Sequence, residues 1–250
     1  MNIKQHIPNT ITCLNLFSGC VACVLAFEGS YFLALLFILL AGIFDFCDGM
    51  AARLLHTSSV IGKELDSLAD MISFGFAPSM IAYKHIDHLA SSQVSCDKLA
   101  YIIPFVAFLI AIFSALRLAK FNVDERQTSS FIGLPTPPNS IFFASLISMS
   151  DPMVSQSIAV PSWLNLSLFS PVLDNLYVMI AFVVVFSYLL VAEIPMFSLK
   201  FKNLSWKDNQ IRYIFLAISV LLFVTFRFAA FSFIILLFIL MSVVNTCRKK

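Results

Sequence analysis

An all-α integral membrane fold, a polytopic helical bundle of about eight transmembrane helices with both termini cytoplasmic, follows from three observations. First, 60% of the 250 residues are hydrophobic and only 12% charged, with 27 Phe and a mean hydropathy of +0.91, too little polar surface for a soluble domain. Second, apolar tracts near the roughly 17–25 residues needed to cross a bilayer recur along the chain. Third, the basic residues gather on one side of the topology those tracts define.

In chain order the tracts fall at 11–27, 31–55, 68–83, 99–121, 139–149 with its flanks, 176–197, and 211–244. The last is too long for one helix, and Arg227 in its middle marks a short turn that divides it, giving eight. With the amino terminus cytoplasmic, that side receives Lys4, Arg53, Lys63, Arg117, Lys120, Arg126, Lys200, Lys202, Lys207, Arg212, Arg248, Lys249 and Lys250. The other side receives Lys84, Lys98 and Arg227, so thirteen stand against three. The turn around 56–62 then opens to the cytosol. The polar stretch 2–10 precedes the first tract without a small-residue cleavage pattern, so no cleavable leader is expected.

Six cysteines show one paired spacing, Cys20-Val-Ala-Cys23, which lies inside a predicted span and reads as packing rather than a redox or metal pair. His6, His56, His85 and His88 do not cluster near the acids described next. Trp163 and Trp206 fall near predicted interfaces, and Glu193 either pairs with a cation near the cytoplasmic end or meets a partner subunit. No nucleic-acid partner is expected.

Four carboxylates stand out against this apolar background: Asp45-x-x-Asp48-Gly49-x-x-Ala52-Arg53, eight residues, then Gly62-x-x-x-Asp66-x-x-x-Asp70. Each ionised side chain at mid-membrane costs about 2.5–3.5 kcal/mol, so the set opposes insertion by something on the order of 10 kcal/mol. Bound cations or an aqueous cavity must offset that. At about 100° per residue, Asp45, Asp48, Gly49, Ala52 and Arg53 share one arc of a helix. Phe46, Cys47, Met50 and Ala51 fall outside it, on a face expected to pack. Gly62, Asp66 and Asp70 form one stripe, and a short turn brings the two helices together as antiparallel neighbours.

An all-oxygen, strongly negative site suits Mg²⁺ or Mn²⁺ rather than Zn²⁺. Two such ions clamp a transferring phosphoryl group. Gly49 and Ala52 let a bulky group approach the helix, and Arg53 can pair with a phosphate. The plainer alternative is that the acids pair with lysines or line a water-filled ion path. A cation transporter, however, would distribute its acids over several helices, whereas these lie on one hairpin.

The segment from Asp45 to Asp70 resembles, without a departure, the signature of the CDP-alcohol phosphotransferases. That resemblance implies transfer of a substituted phosphate from a CDP-linked donor to an alcohol, releasing CMP, with two divalent cations (Mg²⁺ or Mn²⁺) as cofactors. By the same resemblance Asp45, Asp48 and Asp66 are metal ligands, Asp70 is both ligand and general base, and Gly49, Ala52, Arg53 and Gly62 receive the cytidine diphosphate moiety. Further segments are similar to the membrane-embedded phosphatidylserine synthases over roughly the first 140 residues. They are Pro8-Asn9-Thr10-Ile11-Thr12 with Asn15 and Gly19, Ser73-Phe74-Gly75-Phe76-Ala77-Pro78-Ser79, Arg117-Leu118-Ala119-Lys120-Phe121-Asn122 and Gly133-Leu134-Pro135-Thr136-Pro137.

This second similarity implies CDP-diacylglycerol and L-serine as substrates, with Asn9 and Thr12 also at the donor. It implies a homodimer, multi-pass in the lipid bilayer of the cell (inner) membrane, with its active site facing the cytoplasm. Residues 1–250 would form a single transmembrane domain, with a catalytic core in 1–150 and additional helices in 174–246. Other readings stay open for these segments. The Pro-rich stretch is also a plausible interhelical loop, Ser73-Phe74-Gly75 a helix-packing run, and Arg117 with Lys120 a pair of positive-inside anchors rather than a site for phosphate or the serine carboxylate. Alternatives to serine as acceptor are glycerol phosphate, an inositol compound or another alcohol, and a non-catalytic scaffold for CDP-lipid is a further alternative.

Overall fold

The computed structural model describes residues 3–57, 60–123, 131–151, 154, 169–197 and 205–248, and these are almost wholly helical. In chain order they form α1 (Ile3–Phe27), α2 (Tyr31–Leu54), α3 (Val60–Asp70), a π-helical turn Met71–Phe76, α4 (Ala77–Gln93), α5 (Asp97–Ile102), a 3-10 segment Ile103–Phe108 and α6 (Leu109–Val123). There follow β1 (Phe131–Ile132), α7 (Thr136–Ser148), the single turn α8 (Ser170–Leu173), α9 (Leu176–Val191), β2 (Pro195–Met196), α10 (Trp206–Phe226) and α11 (Ala230–Arg248). Trp163, Arg126, Lys200, Lys202, Lys249 and Lys250 lie outside the described residues.

Among the described residues four stretches are long and apolar enough to cross a membrane: His6–Phe27, Tyr31–Leu54, Asp97–Val123 and Asn209–Cys247. The last holds 39 residues and breaks at Arg227, whose φ of 52° and ψ of −126° end α10 before a short 3-10 turn. The expected division of that tract therefore falls at the expected residue. The protein is an all-α membrane protein. The tract expected at 68–83 is the middle of a longer helical run from 60 to 93, and it bends through the π turn directly after Asp70. A π turn spends an extra residue per turn, so the side chains beyond it leave the Gly62–Asp66–Asp70 stripe and swing Ser73, Phe74 and Gly75 into the interior.

Helix α1 is the spine. It packs along the length of α2 and also against α3 and α4, while α2 and α3 approach each other far less closely than either approaches α1. The two antiparallel neighbours form an open wedge backed by α1. The expectation that the far face of α2 packs is also corrected: Phe46 is 70% exposed and Met50 faces outward too. In a bilayer an outward apolar face meets lipid and needs no protein cover, as Phe17, Val24, Val220 and Val224 also illustrate.

The core lies where α2, α4, α6, α7 and α9 meet, around Leu35, Ile38, Phe74, Ile81, Ile110, Phe142, Phe143 and Met179. Phe142 stacks on Phe186 with ring centroids 3.9 Å apart. Small residues set the closest approaches. A Cβ built on Gly19 would stand 2.8 Å from the Ser73 Cα and collide with the Ser73 hydroxyl, so only glycine lets α1 lie against the π turn. Gly19→Ala should destabilise the protein by about 1–3 kcal/mol, read as a lower melting temperature in detergent; an unchanged melting temperature would contradict this contact.

The carboxy-terminal helices are tied on by two devices. The Ser145 and Ser232 hydroxyls hydrogen-bond at 2.5 Å between α7 and α11, both buried in apolar surroundings. Strand β1 pairs antiparallel with β2, Phe131 opposite Met196 and Ile132 opposite Pro195. Just beyond, Gly133 adopts φ +77° and lies against the carbonyls of Leu189, Leu190 and Ala192 at the end of α9. The Leu134 N–H donates to the Leu189 carbonyl at 2.8 Å, which fixes the proline-rich entry to α7.

Candidate active site

Three of the four aspartates converge. Carboxylate oxygens of Asp45 and Asp48 on α2 and of Asp66 on α3 lie within 4.8 Å of one another. That is at most about 0.6 Å wider than the roughly 4.2 Å separating opposite oxygens of a Mg²⁺ site. One carboxylate oxygen of Asp66 is buried with no hydrogen-bond partner, an uncompensated acceptor of the kind a cation satisfies. The donor set and its spacing therefore fit a hard divalent ion.

Asp70 stands one turn beyond this triad. Its Oδ1 accepts a 3.1 Å hydrogen bond from the Asn15 side-chain amide, and it faces a different cavity from Asp48. Two of the acids are held by α1: the Thr12 hydroxyl donates to Asp48 Oδ2 at 2.6 Å, and Asn15 orients Asp70. Asn15 is itself fixed, because its backbone carbonyl accepts a 3.0 Å bond from Ser73 in the π turn. Neither helix of the acidic motif contributes these partners.

The cluster separates two cavities. The smaller, about 260 Å³, lies in the wedge between α2 and α3 and is lined by Pro8, Asn9, Thr12, Asp48, Gly49, Ala52, Thr57, Gly62, Lys63 and Asp66. Gly49 has nothing within 4 Å of where a Cβ would stand, so its lack of a side chain opens space rather than relieving a clash. The larger cavity, about 590 Å³, has Asp45, Asp66, Asp70 and Arg117 at its polar end and walls from α6, α7, α10 and α11. Among the described residues, Asp66 alone lines both.

Of the residues expected at the donor, Asn9, Thr12, Gly49, Ala52 and Gly62 line the smaller cavity together. Arg53 does not: it is exposed on the last turn of α2, at the edge of the motif's arc. The cation in that lining is Lys63, which also donates to the Asn122 carbonyl at 3.3 Å. Its position three residues before Asp66, on the same helical face, was the available signal.

Arg117 and Lys120 part company. Arg117 is 8% exposed, lines the larger cavity, and keeps its Nε buried without a hydrogen-bond partner. Lys120 is exposed, stands outside the lining of both cavities and pairs with Glu193 at 3.7 Å, which also gives Glu193 its partner. His85 is likewise accounted for structurally, its Nε2 2.8 Å from the Leu173 carbonyl.

Acids from two helices of a membrane protein thus gather where they could hold a hard cation, between two cavities. The chain belongs to the CDP-alcohol phosphatidyltransferase family, which residues 5–169 match. It is 39% identical over 137 residues to CDP-diacylglycerol–serine O-phosphatidyltransferase of Bacillus subtilis, a stretch covering 53% of this chain and 70% of that protein. It is 36% identical over 136 residues to the protein of the same name from Helicobacter pylori, covering 54% of each. With archaetidylserine synthase of Methanothermobacter thermautotrophicus it shares 34% identity over 141 residues, 56% of each chain. The chain thus spans a little over half the length of the latter two.

Proposed function

We propose that this protein transfers the phosphatidyl group of CDP-diacylglycerol to the hydroxyl of L-serine, forming phosphatidylserine and CMP. One observation carries the reading: the aspartate cluster lies between a cavity lined by the family's donor residues and a second one where Asp70 and the buried, unpartnered guanidinium nitrogen of Arg117 meet. The serine shared by the names of the relatives supports serine over glycerol phosphate or inositol as acceptor.

The donor's cytidine diphosphate occupies the smaller cavity, against Asn9, Gly49, Ala52 and Gly62, with Lys63 at its phosphates. Serine enters the polar end of the larger cavity and sets its carboxylate on Arg117. Asp70, aimed by Asn15, takes the proton from the serine hydroxyl as that oxygen bonds to the lipid-side phosphorus. The phosphorus–oxygen bond to CMP breaks on the opposite side, and CMP leaves with the electron pair. Asp45, Asp48, Asp66 and Asp70 would hold two divalent cations, Mg²⁺ or Mn²⁺, whose chemistry when bound is to neutralise charge on the transferring phosphate.

Residues 1–150 form the catalytic core and 174–246 add helices around it. The positive-inside bias supports eight spans, cytoplasmic termini and a cytoplasm-facing site in the inner membrane. The family resemblance supports a homodimer.

The test is an acceptor panel: membranes carrying the protein are given CDP-diacylglycerol and labelled serine, glycerol phosphate or inositol in turn. Label should enter lipid from serine alone; label entering from another alcohol instead would overturn the assignment. Arg117→Ala should raise the serine KM by roughly tenfold or more, the scale of a charged hydrogen bond. Lys120→Ala should change it little, and equal effects of the two variants would contradict the separate roles of these residues.

A further inference from the structure

The larger cavity is out of proportion to its acceptor. Serine, among the smallest amino acids, fills only the end where Asp70 and Arg117 stand, yet the space measures about 590 Å³, within the range of sites that hold whole ligands. The rest is apolar. Phe197, Phe215 and Phe238 form a three-ring cluster with centroids 4.9–6.0 Å apart, and Ile234 and Ile235 continue the wall. Leu118 and Phe121 of α6 stand in the lining with them.

All five residues of that wall come from beyond residue 169, where the family match ends. They are nonetheless built firmly into the fold: Phe215 and Phe238 are 5% and 7% exposed, the Ser145–Ser232 bond ties α11 to α7, and the β1–β2 pair precedes Phe197 directly. The space they enclose is continuous with the carboxylates, since Asp45, Asp66 and Asp70 line the same cavity. A group placed there would be joined to the reacting phosphorus at one end and surrounded by hydrocarbon at the other.

We infer that the helices α10 and α11 form a sleeve for an acyl chain of the lipid donor, and that Phe215, Ile235 and Phe238 set which chains are accepted. This rests on the proposed function, whose donor carries two such chains. Burying chain methylenes against these residues stabilises the bound donor, so the wall's shape selects for chain length and bulk. The apolar fit also explains why the carboxy-terminal third carries so many aromatic residues facing inward at this one place.

The experiment compares CDP-dipalmitoylglycerol with CDP-dihexanoylglycerol as donors, following CMP release with serine, in detergent-solubilised full-length protein. Ile235→Trp fills the sleeve and should lower the long-chain to short-chain ratio of kcat/KM by roughly tenfold. Phe238→Ala strips the wall of its aromatic contact with the chain and should lower the same ratio several-fold. Ratios unchanged in both variants, with the unmodified protein active, would overturn the sleeve and leave the serine reaction standing. No CMP release from the unmodified protein with either donor would instead remove the functional reading itself, and the sleeve with it.

Discussion

Asp70→Asn is expected to cut CMP release by roughly 10²–10⁴-fold, the range over which a positioned general base accelerates a reaction. Asparagine keeps the shape and can still meet the Asn15 amide that now bonds Asp70 Oδ1, so the fold should survive. What it loses is the capacity to accept the serine proton, together with the negative charge that Asp70 would offer a cation. Binding of CDP-diacylglycerol should change little, because Asp70 does not line the smaller cavity where the donor's nucleotide sits. Donor binding measured alongside turnover separates the two effects. Undiminished CMP production would remove Asp70 from the role of base; equal loss of binding and turnover would make it a donor contact instead.

Asp66→Asn should be at least as damaging, with turnover falling by roughly a thousandfold or more, because several kcal/mol of charge stabilisation are at stake. Asp66 is the one acid that lines both cavities, it belongs to the triad within 4.8 Å, and one of its oxygens is buried without a partner. An amide there presents a neutral oxygen to any cation and a donor pointed at two neighbouring carboxylates. The variant should therefore bind Mn²⁺ weakly even without substrate, which manganese titration followed by electron paramagnetic resonance would detect. Mn²⁺ affinity equal to that of the unmodified protein would mean the triad is not the cation site.

These two residues were legible in the sequence for a simple reason: carboxylates are costly in a bilayer, and a periodicity of four on one helix and a shared arc on another fix where they point. Gly49 and Ala52, on the same arc, line the smaller cavity, whereas Arg53 is exposed, because a helical angle says where a side chain starts, and a long side chain on the last turn can turn out to the surface. The break at Arg227 was readable from the tract's length and the charge at its middle.

Other parts of the site arise from contacts that no local pattern encodes. Thr12 and Asn15 reach Asp48 and Asp70 only because Gly19 allows α1 to lie against the π turn, and a π turn leaves no distinctive mark in residue spacing. The separation of Arg117 from Lys120 depends on Glu193, more than seventy residues further along the chain. The aromatic wall has no sequence signature of its own, because apolar residues look alike whether they meet lipid, protein or a ligand's hydrocarbon; only the tertiary arrangement distinguishes them.

The most direct measurement is an experimental map of the protein prepared with Mn²⁺, recorded at the manganese absorption edge so that the ion itself is seen. The peak should fall among Asp45, Asp48 and Asp66, with Asp70 beside it and the wedge between α2 and α3 open alongside. A map in which the α2 and α3 carboxylates turn away from one another, with manganese elsewhere or nowhere, would contradict the account.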